Sequence, residues 1–262
     1  YGAATKVVFT TQPSASTVAG VAFAQQPVVT VQDSGGRTVL NSSASIAISG
    51  ANVGTATITA VNGVATFTNL GSSVVGTGKT LSATSSGLLT ATSSTFAITE
   101  AAASKLYITQ FNGNTTAGSP FMFPIKITVQ DQFGNTVTTS TDPVTVAVTS
   151  GTGTLSGGST TVNAVAGVAT FSGLTMTTAG VKTMTATSGS LTPATSGNFT
   201  ISPANASKLI ITGPSSQVAC ASTSATITAQ DQYGNTATGY AGAKTLTFSG
   251  PGTSGSFAPQ WN

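Results

Sequence analysis

Histidine is absent from the 262 residues, cysteine occurs once, and charged side chains make up only 5% of the chain. Each absence excludes a class of chemistry. Without His there is no His-dependent catalytic triad and no His-ligated metal centre. One thiol builds neither a zinc-cysteine site nor a disulfide framework. Eight Lys and Arg, set against five Asp and Glu, give a net charge of +3. That is too sparse to neutralise a nucleic-acid backbone. No apolar run approaches the roughly 18 residues that a membrane-spanning helix needs. No basic segment followed by an apolar one opens the chain, so an export signal is expected to be removed or to lie outside this sequence.

What fills the chain instead is small and hydroxylated: 51 Thr and 33 Ser, with 30 Gly. Such composition often accompanies disorder. Here, however, 39% of residues are apolar, mean hydropathy is +0.26, and the apolar residues alternate. Thr and Val, branched at Cβ, suit a pleated strand.

The sequence repeats itself. Val31-Gln-Asp-Ser-Gly-Gly-Arg-Thr-Val39, Val129-Gln-Asp-Gln-Phe-Gly-Asn-Thr-Val137 and Ala229-Gln-Asp-Gln-Tyr-Gly-Asn-Thr-Ala237 align, with Asp33, Asp131 and Asp231 spaced 98 and 100 residues apart. Lys6-Val-Val-Phe-Thr10 matches Lys105-Leu-Tyr-Ile-Thr109 and Lys208-Leu-Ile-Ile-Thr212. Gly63-Val-Ala-Thr-Phe67 matches Gly167-Val-Ala-Thr-Phe171, and Lys79, Phe96 and Ile98 match Lys182, Phe199 and Ile201. A period near 100 is the size of a whole small domain. The expected division is 1–102, 103–205 and an incomplete third unit, 206–262. The third unit lacks the counterparts of the Gly-Val-Ala-Thr-Phe strand and the closing Phe-x-Ile strand. The expectation is that the chain continues past Asn262 or that a neighbouring subunit supplies them.

Within a unit the period is two. Ile125, Ile127 and Val129 alternate with Lys126, Thr128 and Gln130, as in a strand with one buried face. Asn62-Gly63 between Thr57–Val61 and Val64–Phe67 is a hairpin signal. Turn residues recur at the spacing of short strands. The expected fold is all-β, a tandem array of β-sandwiches with about seven strands per complete unit.

The ordered motifs Lys-Leu-x-Ile-Thr, Val-x-Val-Gln-Asp-x-Phe/Tyr-Gly-Asn-Thr, Gly-Val-Ala-Thr-Phe and Phe-x-Ile resemble bacterial immunoglobulin-like repeats, including those of invasin- and intimin-like adhesins. The resemblance spans essentially the whole chain. In the first unit it departs at Ser34-Gly-Gly-Arg37. It implies a secreted or cell-surface protein, and carries over no active site.

The candidate sites are few. Asp33, Asp131 and Asp231 suggest calcium, but each unit offers one recurring carboxylate where calcium wants several. An Asp that ends a strand and bonds its own turn, with Gly36, Gly134 or Gly234 at positive φ, is the competing reading. Lys6, Lys105 and Lys208 open a strand as the lysine of an isopeptide bond does. No acid recurs on another strand to assist one, so they read as solvated edge lysines. Asp142 and Glu100 are isolated, and Glu100 reads as linker. The acids form no close pair in sequence, so no catalytic residue, metal site or cofactor is assigned and the chain is not expected to be an enzyme. Cys220 is either a buried small apolar residue or half of a disulfide whose partner lies elsewhere. Asn41, Asn114, Asn198 and Asn205 begin glycosylation sequons, which arise by chance in so Ser- and Thr-rich a chain.

Phe133 and Tyr233 occupy one turn slot, where the first unit has Gly35. They are expected to pack on the C-terminal end of the preceding unit as interdomain contacts; the alternative is a platform for sugar rings. The function that emerges is mechanical: a non-enzymatic extracellular subunit or stalk of a surface filament, sheath or layer, self-associating because little charge keeps copies apart. The alternative is an adhesin whose loops bind a glycan or a host protein.

Overall fold

The computed structural model describes residues 2–214, 216 and 224–247. Among them every regular element is a strand. The first repeat contributes β1 (Lys6–Thr11), β2 (Ser16–Val18), β3 (Val28–Gln32), β4 (Ser45–Ser49), β5 (Thr57–Thr59), β6 (Val64–Thr66), β7 (Gly76–Lys79), β8 (Ser82–Thr84), β9 (Ala91–Thr92) and β10 (Phe96–Thr99). The second contributes β11 (Ala103–Gln110), β12 (Thr115–Thr116), β13 (Ile125–Asp131), β14 (Pro143–Ser150), β15 (Thr161–Asn163), β16 (Val168–Phe171), β17 (Gly180–Thr187), β18 (Ala194–Thr195) and β19 (Phe199–Ser202). The third shows β20 (Lys208–Thr212) and β21 (Thr226–Gln230).

Each of the first two repeats is a sandwich. One sheet runs β1-β3-β6, and its counterpart runs β11-β13-β16. In the second repeat the opposite sheet runs β12-β19-β17-β14-β15, with β18 also on β17, and β12 lies parallel to β19. The first and last strands are each broken in two, so the repeat has seven strand positions. The first repeat has the same seven, with one further break. Its β7 and β8 occupy the place of the continuous β17, because Gly76-Thr-Gly-Lys79 is one residue longer than Gly180-Val-Lys182. Gly76 and Gly78 take φ of 154° and 65°.

The alternation read from sequence becomes two separate apolar cores. Val7, Phe9, Val29, Val31, Ile46, Phe67, Leu70 and Ile98 belong to one. Leu106, Ile125, Ile127, Val129, Phe171, Met184 and Ile201 belong to the other. Phe111, Phe121 and Phe199 meet edge to face in the second core, with centroids 5.1–6.0 Å apart. Full burial of each large side chain is worth about 2–3 kcal/mol.

The hairpin reading needs correction. Asn62 and Gly63 do take positive φ, 50° and 73°. Yet β5 pairs with β4 and β6 pairs with β3, so the flanking strands join opposite sheets. Only Val61 and Val64 bridge across the turn. Ala60, Ala65 and Phe67 are all buried in the one core between the two layers. Ala166-Gly167 repeats the geometry at φ of 49° and 76°.

Candidate functional site: the aspartate turns at the repeat ends

Where β3, β13 and β21 end, an aspartate folds the chain back on itself. Oδ1 of Asp131 accepts the N–H groups of Phe133 at 3.0 Å and Asn135 at 2.9 Å. The Gly134 N–H donates to the Asp131 carbonyl at 3.1 Å, with Gly134 at φ of 91°. Asp231 holds Tyr233 and Asn235 in the same way, each at 2.9 Å. Asp33 holds Gly35 and Arg37, each at 3.0 Å. One carboxylate oxygen thus fixes the turn in all three repeats, as a short polar side chain does when it mimics a backbone turn.

The other oxygen reads the incoming chain. Oδ2 accepts the N–H of Gly2 on Asp33 at 3.1 Å, of Ala101 on Asp131 at 3.2 Å, and of Ala204 on Asp231 at 2.9 Å. On Asp131 and Asp231 it also accepts Nδ2 of Asn135 or Asn235, both at 2.8 Å. These carboxylates are buried, Asp131 and Asp231 completely. Burial pushes the carboxyl pKa of Asp131 and Asp231 up, but the Asn side chains and backbone donors outweigh it and hold both below the ordinary 3.8. For Asp33 the N–H groups of Arg37 and Gly2 do the same. With four donors each, the Asp131 and Asp231 carboxylates have no lone pairs turned toward a cation, and Asp33 accepts three N–H groups, which argues against the calcium reading. Among the described residues no group of three or more acids or thiols is placed to hold a metal ion.

In the second and third repeats the turn also reaches the repeat before it. Asn135 donates from Nδ2 to the Ser73 carbonyl at 2.8 Å and accepts the Val75 N–H on Oδ1 at 3.2 Å. Asn235 does likewise with the Thr177 carbonyl at 2.7 Å and the Ala179 N–H at 2.8 Å. The Phe133 ring lies on Gly20: a Cβ there would be 2.0 Å from its Cζ. The Tyr233 ring lies on Gly118, where a Cβ would be 1.9 Å from the phenol oxygen. Both glycines have positive φ, 79° and 82°. The rings remain 42% exposed. Glu100, read as linker, accepts the Thr138 hydroxyl at 2.8 Å from across the same boundary.

The sequence singled out the rings but passed over Asn135 and Asn235, although Arg37 breaks their recurrence as clearly as Gly35 breaks that of the rings. It also passed over Lys182, which is buried, with Nζ donating to the carbonyls of Thr152 at 2.6 Å and Ala179 at 3.4 Å. Burial holds its pKa below the usual lysine range. Lys105 donates to the Gln132 carbonyl at 3.3 Å, and Lys208 is exposed. Asp142 accepts the Ser140 hydroxyl at 2.9 Å. Asn114, the asparagine of one sequon, accepts the Thr200 N–H at 2.8 Å. Cys220 lies outside the described residues.

No protein-family model and no curated protein sequence matches the chain. Solved structures similar to it include a β-glycosidase from Bacteroides vulgatus, with a TM-score of 0.36 and 14% identity, over 75% of this chain and 25% of that one. The adhesin InvE of Yersinia pseudotuberculosis aligns with a TM-score of 0.31 and 16% identity, over 75% of this chain and 58% of that one. FdeC, an Escherichia coli adhesin, aligns with a TM-score of 0.37 and 16% identity, over 89% and 75%. The chain therefore spans a quarter of the first of these structures and less than two thirds of the second. Among the described residues no helix is long and apolar enough to cross a membrane.

Proposed function

We propose that the chain is a non-enzymatic extracellular array of immunoglobulin-like units, 1–102, 103–205 and 206–262, whose task is to hold successive units at a fixed angle in a surface stalk or filament. The observation that carries this reading is the repetition of one contact set at two junctions. At each, Asp accepts a linker N–H, Asn bonds a carbonyl and an N–H of the preceding repeat, and a ring covers a glycine. A freely jointed tether needs none of these. Aromatic side chains cover area at modest entropic cost, and paired amide bonds fix direction. The low charge supports lateral association of copies into a filament, sheath or layer.

Small-angle X-ray scattering of the chain tests the stiffness. The account expects a maximum dimension and profile described by a single conformer, and a broadened distribution for the double variant Asn135→Ala, Asn235→Ala with its domains still folded. A wild-type profile that only an ensemble of inter-unit angles can fit contradicts it. Electron microscopy of the purified chain at high concentration reads out the polymer.

A further inference from the structure

The second repeat carries a groove that the first repeat closes. In the first, the Val7 N–H donates to the Leu89 carbonyl and the Leu89 N–H to that of Thr5, at 3.0 and 2.9 Å. Further along, Gln12 reaches across and accepts the N–H and hydroxyl of Ser94, at 2.9 and 3.4 Å. In the second, the Leu106 N–H donates to the Thr192 carbonyl and the Thr192 N–H to that of Ser104, both at 2.9 Å. There the zipper stops. Phe111 and Gly197 stand where Gln12 and Ser94 do, and neither has a side chain that can make the bond. The two strand edges part around a groove of about 540 Å³, lined by Leu106, Tyr107, Thr109, Phe111, Thr195 and Ser196 among others. That volume is within the range of pockets that take small ligands.

Two further differences gather on the same strands. Tyr107, 56% exposed, replaces Val8 on the outward face of the sheet. Lys126 replaces Val28 on the neighbouring strand. The register sets Tyr107 opposite Thr128, with Lys105 two residues from Tyr107 toward one end (opposite Gln130) and Lys126 two residues from Thr128 toward the other. The two lysines are thus roughly 13 Å apart along the strand direction, on either side of the ring. No acid lies on β11 or in 192–197; the acids of the second repeat, Asp131 and Asp142, sit at its turns. Phe111 also packs against Phe121 and Phe199 in the core, but Tyr107 and Lys126 are not required by the fold, since the first repeat builds the same sandwich with Val8 and Val28.

We propose that this groove binds a linear acidic polysaccharide. The exposed ring offers a flat apolar face to the C–H side of a pyranose. The hydroxyls of Thr109, Thr195 and Ser196 are each bonded within the repeat, to the Lys126 carbonyl and Thr128, to Thr185, and to Met184 and the Gly197 carbonyl, and each keeps a lone pair that accepts a sugar hydroxyl. Lys126 on one side, and on the other Lys105, whose ammonium donates to the Gln132 carbonyl and has further N–H groups to offer, meet carboxylates on the units that extend beyond the groove. The inference is independent of the stiffness of the array: it concerns one face of one repeat.

Titration of the isotopically labelled chain with oligogalacturonate, maltodextrin and polyglutamate tests it by NMR. Galacturonate is expected to shift the amides of 106–109 and 194–197, less strongly as salt rises, while leaving those of 7–10 and 91–94 in place. Tyr107→Val and Lys126→Val install the first repeat's own residues, so the fold persists. The first is expected to weaken binding about tenfold, and the second to remove the advantage of galacturonate over maltodextrin. The proposal is overturned if galacturonate leaves the groove amides unmoved, or if Tyr107→Val binds as the wild type does. Equal binding of maltodextrin overturns the acidic class, and equal binding of polyglutamate overturns the sugar.

Discussion

The aspartate turn of the first repeat and those of the second and third share a fold but not a reach. Asp33 makes the same two turn bonds and the same linker bond as Asp131 and Asp231, and Gly36 takes the same positive φ as Gly134 and Gly234. What the first turn lacks is the ring and the amide: Gly35 and Arg37 stand in their place. The motif therefore divides into two parts. Asp and Gly build the turn, and nothing beyond the repeat is needed for that. The aromatic and Asn are dispensable for the turn, and in the second and third repeats they point at the preceding one. A recurring motif of this kind is readily taken for one device; the unequal copies show that it is two.

The division is tested most severely by removing its first half. Asp131→Ala strips the acceptor from four donors in a buried site, three backbone N–H groups and the side-chain amide of Asn135. The account expects a loss of about 2–4 kcal/mol in the stability of the second repeat, read as a lowered urea midpoint with the first repeat's transition unmoved. A loss no larger than that of a surface substitution would dissolve the distinction.

Removing the second half has a smaller expected effect on stability and a larger one on geometry. Phe133→Ser with Tyr233→Ser is expected to cost about 1 kcal/mol or less per repeat, since both rings are partly exposed, while the linkers near Ala101 and Ala204 become more open to protease. Gly20→Ala works from the receiving side. Its Cβ would collide with the Phe133 ring at a backbone angle that L-residues resist, so the first junction should loosen and the second should not. If both junctions respond alike, the ring is not the contact that matters.

Acid sharpens the comparison least but most generally. Asp33, Asp131 and Asp231 have folded pKa values below the ordinary 3.8. Their contribution to stability is therefore fully present above about pH 4 and is lost as pH falls through the lowered folded values. The melting temperature should be flat from about pH 7 to pH 5 and fall below pH 4. In the Asp131→Ala variant the second repeat should lose most of that dependence. Equal acid sensitivity in wild type and variant would assign it to other groups.

Much of this was legible in the sequence, for a physical reason. Alternation with period two is imposed by the strand itself, so Ile125, Ile127 and Val129 announce a buried face before any partner is known. A repeat near 100 residues likewise announces whole units. What alternation does not carry is which strand lies beside which. Asn62-Gly63 specifies a turn, but the pairing of β5 with β4 and of β6 with β3, strands distant in sequence, is what separates its flanks into opposite sheets. Asn135 was hidden for a related reason. A short amide after a turn ordinarily serves the turn, and its bonds to Ser73 and Val75 cross some 60 residues of chain. Lys182 matched Lys79 as a landmark, but its burial depends on carbonyls of Thr152 and Ala179 that no local pattern marks.

The central claim is that the ring and the asparagine fix one repeat against the next, and residual dipolar couplings measure that directly. Couplings from the first and second repeats of the partially aligned chain should fit a single alignment tensor, with the relative orientation of the two cores seen here. In the Phe133→Ser, Asn135→Ala variant each repeat should still fit its own structure, but the two tensors should diverge in magnitude. Two unrelated tensors in the wild type, or a common tensor that survives the double substitution, would contradict the account.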